Sequence, residues 1–178
     1  MILRPFRRSA ENRTIASLYG MIVAQARAQA FYTDYAVPDT VEGRFDLIVL
    51  HLVLFIRRLA GAHAHIGQRL FDVFCADLDD NLREMGVGDL AVPKRMRRFG
   101  EAFYGRQAAY LAALDAGDQK AFENALARNI FTGAGIDSKA ARLARYARAL
   151  IRELDVQAED TLLRGDVVFP KPEAFVDA

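Results

Sequence analysis

The run Leu47–Ile56, LIVLHLVLFI, constrains this chain most. Spanning a bilayer takes roughly 20 such residues, so the run is far too short to cross one. Flanked by helical sequence, it reads as a core helix buried on most sides. An apolar fraction of 52% supplies enough side chains for a sizeable core around it. Proline, serine and threonine are scarce outside the junctions, which favours an all-helical chain. At 178 residues, one domain is the expectation.

Apolar spacing and breakers divide the sequence into about six helices. The first runs from about Glu11 to Gln29, with Ile15, Leu18, Tyr19, Ile22, Val23 and Ala26 at helical spacing. Val37-Pro38 closes the next connector. Asp39 and Glu42 then form a capping box for the second helix, which ends near Leu59 and Gly61. The third spans about Ile66 to Met85, with Gly86 as its left-handed stop. The fourth spans about Pro93 to Asp115, with proline in the first turn, where its missing N–H is harmless. Gly117-Asp118 breaks the chain and caps the fifth, about Gln119 to Phe131. Gly133 and Gly135 mark a loop that could let the last helix pivot, and Asp137 or Ser138 caps that sixth helix. Gly165 stops it. Residues 165–178 read as an extended tail in which Val167, Val168 and Phe169 pack back, and residues 1–10 read as mobile. The reading is a single all-α domain over residues 1–178.

Several chemistries are weighed and set aside. Cys75 alone cannot form an internal disulfide or a thiolate cage, and it reads as structural. Asp77, Asp80 and Glu84 share a helix face, where carboxylates can hold a cation or move protons. No histidine stands at ligand spacing beside them, so a solvated face is preferred. His51 is read as a neutral core histidine in preference to a proton relay. His63 and His65 lie near Gly61 in a loop and make a poor metal pair. Gly86 and Gly88 lack the context of a phosphate loop. No catalytic residue, metal site or cofactor is expected.

Charge is patterned despite a net of +1. That near-neutral balance argues against DNA or other nucleic acid as the main partner. Lys94, Arg95, Arg97 and Arg98 follow the corner Met85-Gly86-Val87-Gly88-Asp89, opposite the apolar Met96, Phe99 and Phe103. Tyr104, which can stack at an interface or lie half buried, and Arg106 close the segment. Lys139, Arg142, Arg145, Arg148 and Arg152 form a second basic stripe. Segregated charge of this kind suits an acidic partner, lipid headgroups or RNA. The N-terminal MILRPFRR segment lacks the apolar stretch of a secretory signal. It can touch anionic lipid weakly, at about 1 kcal/mol per cation. A cytoplasmic protein, peripheral at most at the inner membrane's cytoplasmic face, is expected.

Four segments carry a resemblance. They are Leu18-Tyr19-Gly20, Val37–Asp46 (VPDTVEGRFD), Leu82–Asp89 (LREMGVGD) and Ala102–Arg106 (AFYGR). In these the chain resembles the ubiquinol–cytochrome c chaperone family in its short alphaproteobacterial form. The resemblance implies an all-α, non-catalytic assembly factor of respiratory complex III that binds newly made cytochrome b. A small partner subunit and the ribosome are further partners of mitochondrial members. The client-facing surface is expected at Arg83, Glu84, Gly86, Gly88, Asp89, Lys94, Arg95, Arg98, Tyr104 and Arg106. The competing reading is a tight helix corner in which Arg83 or Arg106 pairs with Asp77, Asp80 or Asp89. A peripheral membrane- or RNA-binding module and, further behind, an all-α enzyme using Asp77, Asp80, Glu84 and His51 are the other functional readings.

Overall fold

The computed structural model describes residues 4–131 and 136–176, with side chains from Glu11 onward except that of Ile136. Residues 1–3, 132–135 and 177–178 lie outside this description, and with them the Gly133–Gly135 loop. Among the described residues every regular element is helical. In chain order they are α1 (Arg4–Ala26), α2 (Ala30–Thr33), α3 (Val41–Arg58), α4 (Ala64–Glu84), α5 (Val92–Asp115), α6 (Gln119–Ile130), α7 (Ile136–Val156) and α8 (Glu159–Arg164). A 3-10 turn at Pro172–Phe175 follows. The six long helices are the six expected. The short α2 and α8 fall below the length at which periodicity is readable.

The apolar run behaves as its composition requires. Every residue from Phe45 to Phe55 of α3 is buried, and α3 packs against α1, α4, α5, α6 and α7. It is the axis of the bundle.

Four helix ends differ from expectation. The sixth helix does not run on to Gly165: α7 ends at Val156, and Gly165 stops the short α8. The backbone of α1 is helical back to Arg4, because nothing before the apolar stripe breaks a helix and Pro5 sits harmlessly in the first turn. The N-cap of α3 is Thr40 and not Asp39. The Thr40 hydroxyl accepts the Gly43 N–H at 3.1 Å, while Asp39 is taken by Arg44 at 2.7 Å. Asp137 and Ser138 lie inside the first turn of α7, where an acid complements the helix dipole. Asp118 does cap α6, accepting the Ala121 N–H at 2.9 Å. Gly43 has a packing reason: a Cβ there would stand 2.0 Å from the Pro38 carbonyl oxygen.

A buried polar chain crosses the core. His51 Nδ1–H donates to the Leu47 carbonyl at 2.7 Å, and its Nε2 accepts the Tyr146 hydroxyl at 2.8 Å. The Tyr146 oxygen in turn accepts from Gln25 at 3.0 Å. Each member thus has a partner, as buried polar groups require. Phe31, Tyr35 and Phe175 ring this chain with edge-on or tilted contacts to Tyr146 or to one another.

The tail is strapped down by the same neighbourhood. Gln25 donates to the Pro170 carbonyl at 3.0 Å and the Tyr35 hydroxyl to that of Pro172 at 2.6 Å. The Gln157 side chain holds Val168 by both its N–H and its carbonyl. Val167 is buried and Phe169 packs against the core as expected, but the Val168 side chain points outward. Its backbone, not its side chain, carries the attachment.

Burial penalises the His51 cation and lowers its pKa from 6.5 to about 4. The unfolded chain therefore takes up this proton first. The associated stability is full above about pH 6.5 and is lost as pH falls toward 4. Asp46 shifts the opposite way, to about 6, so a variant comparison isolates the histidine. Between pH 7.5 and pH 4.5 the wild type loses about 2–3 kcal/mol more than His51→Gln in denaturant titrations. Parallel pH profiles would refute the assignment.

Candidate partner-binding surface at the α4–α5 corner

The corner is made by local backbone chemistry. Gly86 has φ of 77°, a left-handed value that glycine adopts without strain. It lets Val87 N–H reach back to the Leu82 carbonyl at 3.0 Å and Gly86 N–H to that of Arg83 at 2.9 Å. These bonds satisfy carbonyls that the end of α4 would otherwise leave bare. Gly88 then accepts the Ala91 N–H at 2.8 Å, and Pro93 follows in the first turn of α5.

The ten residues expected on a client surface separate into two groups of four and two single residues, Tyr104 and Arg106. Arg83 and Asp89 belong to the corner itself. Arg83 bridges Asp79 at 2.6 Å and Asp89 at 2.5 Å, so the helix-corner reading holds for this arginine. Gly86 and Gly88 shape the turn beneath it. Glu84, Lys94, Arg95 and Arg98 form the second group. All are exposed, and among the described residues none has an ion-pair or hydrogen-bond partner. Arg97 differs from its neighbours in pairing with Glu101 at 2.9 Å. Tyr104 stands about 18 Å along α5 from Val92. It is 54% exposed, with its ring 5.4 Å from Phe71 and 5.5 Å from Phe103.

Arg106 is turned the other way. Its Nη2 lies 2.7 Å from Asp46 Oδ1 on α3, and both side chains are largely buried. The contact lies off the hydrogen-bond axis, so the attraction is between charges. The guanidinium also sits 5.6 Å from the centre of the Phe45 ring. The expected partners Asp77, Asp80 and Asp89 are not involved. Asp77 instead accepts the Tyr19 hydroxyl at 2.7 Å. Burial pushes the Asp46 carboxyl up to about 6, and Arg106 offsets only part of that penalty.

Leu90, which sequence reasoning passed over, and Met85, which it placed at the helix end that opens the corner, both stand open here. Leu90 is 99% exposed and Met85 is 63% exposed. The signal for Leu90 was its place between Asp89 and Ala91, off every apolar stripe. The second basic stripe is less open than expected. Arg142, Arg145 and Arg148 are half-buried: Arg142 donates to the Asp34 carbonyl, and Arg148 lies 6.0 Å from the Phe122 ring centre. Among the described residues no group of three or more His, Cys, Asp or Glu is placed to hold a metal ion, and no helix is long and apolar enough to cross a membrane.

A family model described as ubiquinol-cytochrome C chaperone matches residues 33–169. The chain belongs to this chaperone family. The fold is similar to the crystal structure of the Cbp3 homolog from Brucella abortus, with a TM-score of 0.87 and 38% identity. That match covers 98% of this chain and 99% of the other. No curated protein matches.

Two of the segments that carry the chaperone resemblance turn out to meet in space. VPDTVEGRFD caps α3 and supplies Asp46, and AFYGR supplies the arginine that answers it. Removing one member of a buried pair strands the other charge. Arg106→Met lowers unfolding free energy by about 3–5 kcal/mol. Asp46→Leu with Arg106→Met recovers most of that loss, because no buried charge is left. A double variant as unstable as the single one would show that the pair matters through some other contact.

Proposed function

We propose that this protein is a non-catalytic assembly chaperone that binds newly made cytochrome b and supports assembly of ubiquinol–cytochrome c reductase. The observation that carries the reading is the family match over residues 33–169. In this reading residues 1–178 act as one chaperone domain on the cytoplasmic side of the inner membrane.

The client-facing surface we propose is the α4–α5 corner and the start of α5. Lys94, Arg95 and Arg98 support it, because they are exposed and unneutralised. Such charges steer encounter with an acidic partner and contribute little to fold stability. Arg83, Asp89, Gly86 and Gly88 hold the corner in shape, and Tyr104 offers an exposed ring farther along α5. Arg106 acts from inside, by fixing α5 against α3.

Deleting the gene lowers assembled ubiquinol–cytochrome c reductase while other respiratory complexes persist, read from cytochrome spectra and native gels. Normal assembly would sink the proposal. Lys94→Glu with Arg95→Glu weakens cytochrome b capture in detergent by about tenfold. The same variant changes unfolding free energy by less than about 0.5 kcal/mol, as expected for exposed, unpaired side chains. Undiminished capture would move the client surface elsewhere.

A further inference from the structure

Residues 167–175 lie on the bundle as an extended segment lies in a groove that reads its backbone. Among the described residues, every hydrogen bond from the bundle to this segment runs from a side chain to the segment's main chain. Gln157 takes both sides of Val168, accepting its N–H at 2.8 Å and donating to its carbonyl at 2.9 Å. Gln25 donates to the Pro170 carbonyl at 3.0 Å, and the Tyr35 hydroxyl to that of Pro172 at 2.6 Å. From Val167 to Pro170 the segment makes no backbone-to-backbone hydrogen bond among the described residues. Its side chains alternate as an extended path requires: Val167 is buried, Val168 is 58% exposed and Phe169 packs on the core. Farther on, Pro172 is buried and Phe175 stands edge-on to Tyr146, 6.3 Å between ring centres. Gly165, with a φ of 86°, turns the chain out of α8 without strain, so the segment hangs from a glycine.

Recognition through the main chain fixes a path more than a sequence. Any extended stretch with apolar side chains at alternate positions and carbonyls beyond them meets the same donors. We propose that this groove is a docking site for an extended apolar segment of the newly made client, and that the chain's own tail fills it until the client displaces the tail. A chain not yet folded suits the site, because its backbone groups are unpaired and its apolar side chains are unburied. A second copy would bring the same tail, but exchanging tails leaves each groove with the occupant it already has and adds no contact there. The client role rests on the cytochrome b reading above, while the ability of the groove to bind a segment in trans does not.

The test uses the full chain and a labelled peptide, GDVVFPKPEAFV, that copies residues 165–176. Phe169→Ala loosens the resident tail and leaves the groove side chains untouched, and Val167→Ser is a second variant of the same kind. Unchanged helical circular dichroism establishes that each is folded. By fluorescence anisotropy the peptide binds either variant at least about tenfold tighter than the wild type, whose tethered tail competes at an effective concentration of about millimolar. A peptide with serine at the Val167 and Phe169 positions is expected not to bind. Adding Tyr35→Phe to Phe169→Ala weakens peptide binding about three- to tenfold, because the Pro172 carbonyl loses its donor. Peptide at about ten times its Kd then weakens cytochrome b capture by Phe169→Ala about tenfold, as simple competition requires. Failure of the peptide to bind either variant overturns the proposal. So does peptide binding that leaves capture unchanged, which would make the tail a structural strap only. Absence of capture by wild type and variant alike refutes the cytochrome b client, and the groove's client role with it. Peptide binding in that case marks the failure as the client's and not the groove's.

Discussion

A helix buried on all sides brings its polar groups into the core with it, and the rest of the bundle is arranged to answer them. α3 has two such groups, Asp46 and His51. Asp46 draws Arg106 from α5, and His51 draws Tyr146 from α7. The apolar faces would accept several neighbouring registers of α5 and α7 against α3. A charge or a hydroxyl accepts far fewer, because misplacing it strands a buried polar atom. The two polar contacts therefore select which of many greasy arrangements the chain adopts. Both sit near the family-matching segments, which links those segments to register as much as to any surface.

The chain's helices were legible because they obey local rules. Apolar spacing set the six long helices, and left-handed glycines at 61, 86 and 117 stand just past the ends of three of them. What was not legible is pairing across the fold. Nothing in the sequence around Asp46 announces that its partner is Arg106, or that His51 meets a tyrosine 95 residues away. Thr40 and Asp39 are both good caps by type, and only the competing pull of Arg44 decides between them. The surface was legible in part. Lys94, Arg95 and Arg98 stood out as a charge cluster, but the inward turn of Arg106 and the exposure of Leu90 depend on the packing of α5.

Charge is spent unevenly over the molecule. Arg57, Arg58, Arg69, Arg83, Arg97 and Arg106 each face a carboxylate. Arg58 is the most committed: it also donates to the Leu154 and Gln157 carbonyls and so closes the end of α7. Lys94, Arg95 and Arg98 stay unanswered at the start of α5, while Arg142, Arg145 and Arg148 of α7 are shielded by partial burial.

The strap of residues 167–175 adds a condition on the order of folding. Gln25 lies 145 residues before its acceptor at Pro170. At a synthesis rate of about 5–20 residues per second, roughly 7–30 seconds separate the making of the two. Over that interval α1 can pack on α3 and α4, yet Gln25 and Tyr35 stay without their last partners. The aromatic cluster around Tyr146 is then open on one side until the tail arrives. The bundle is thus sealed by a segment made long after its first helix, and a chain halted before that segment keeps its helices while leaving that aromatic floor bare to water.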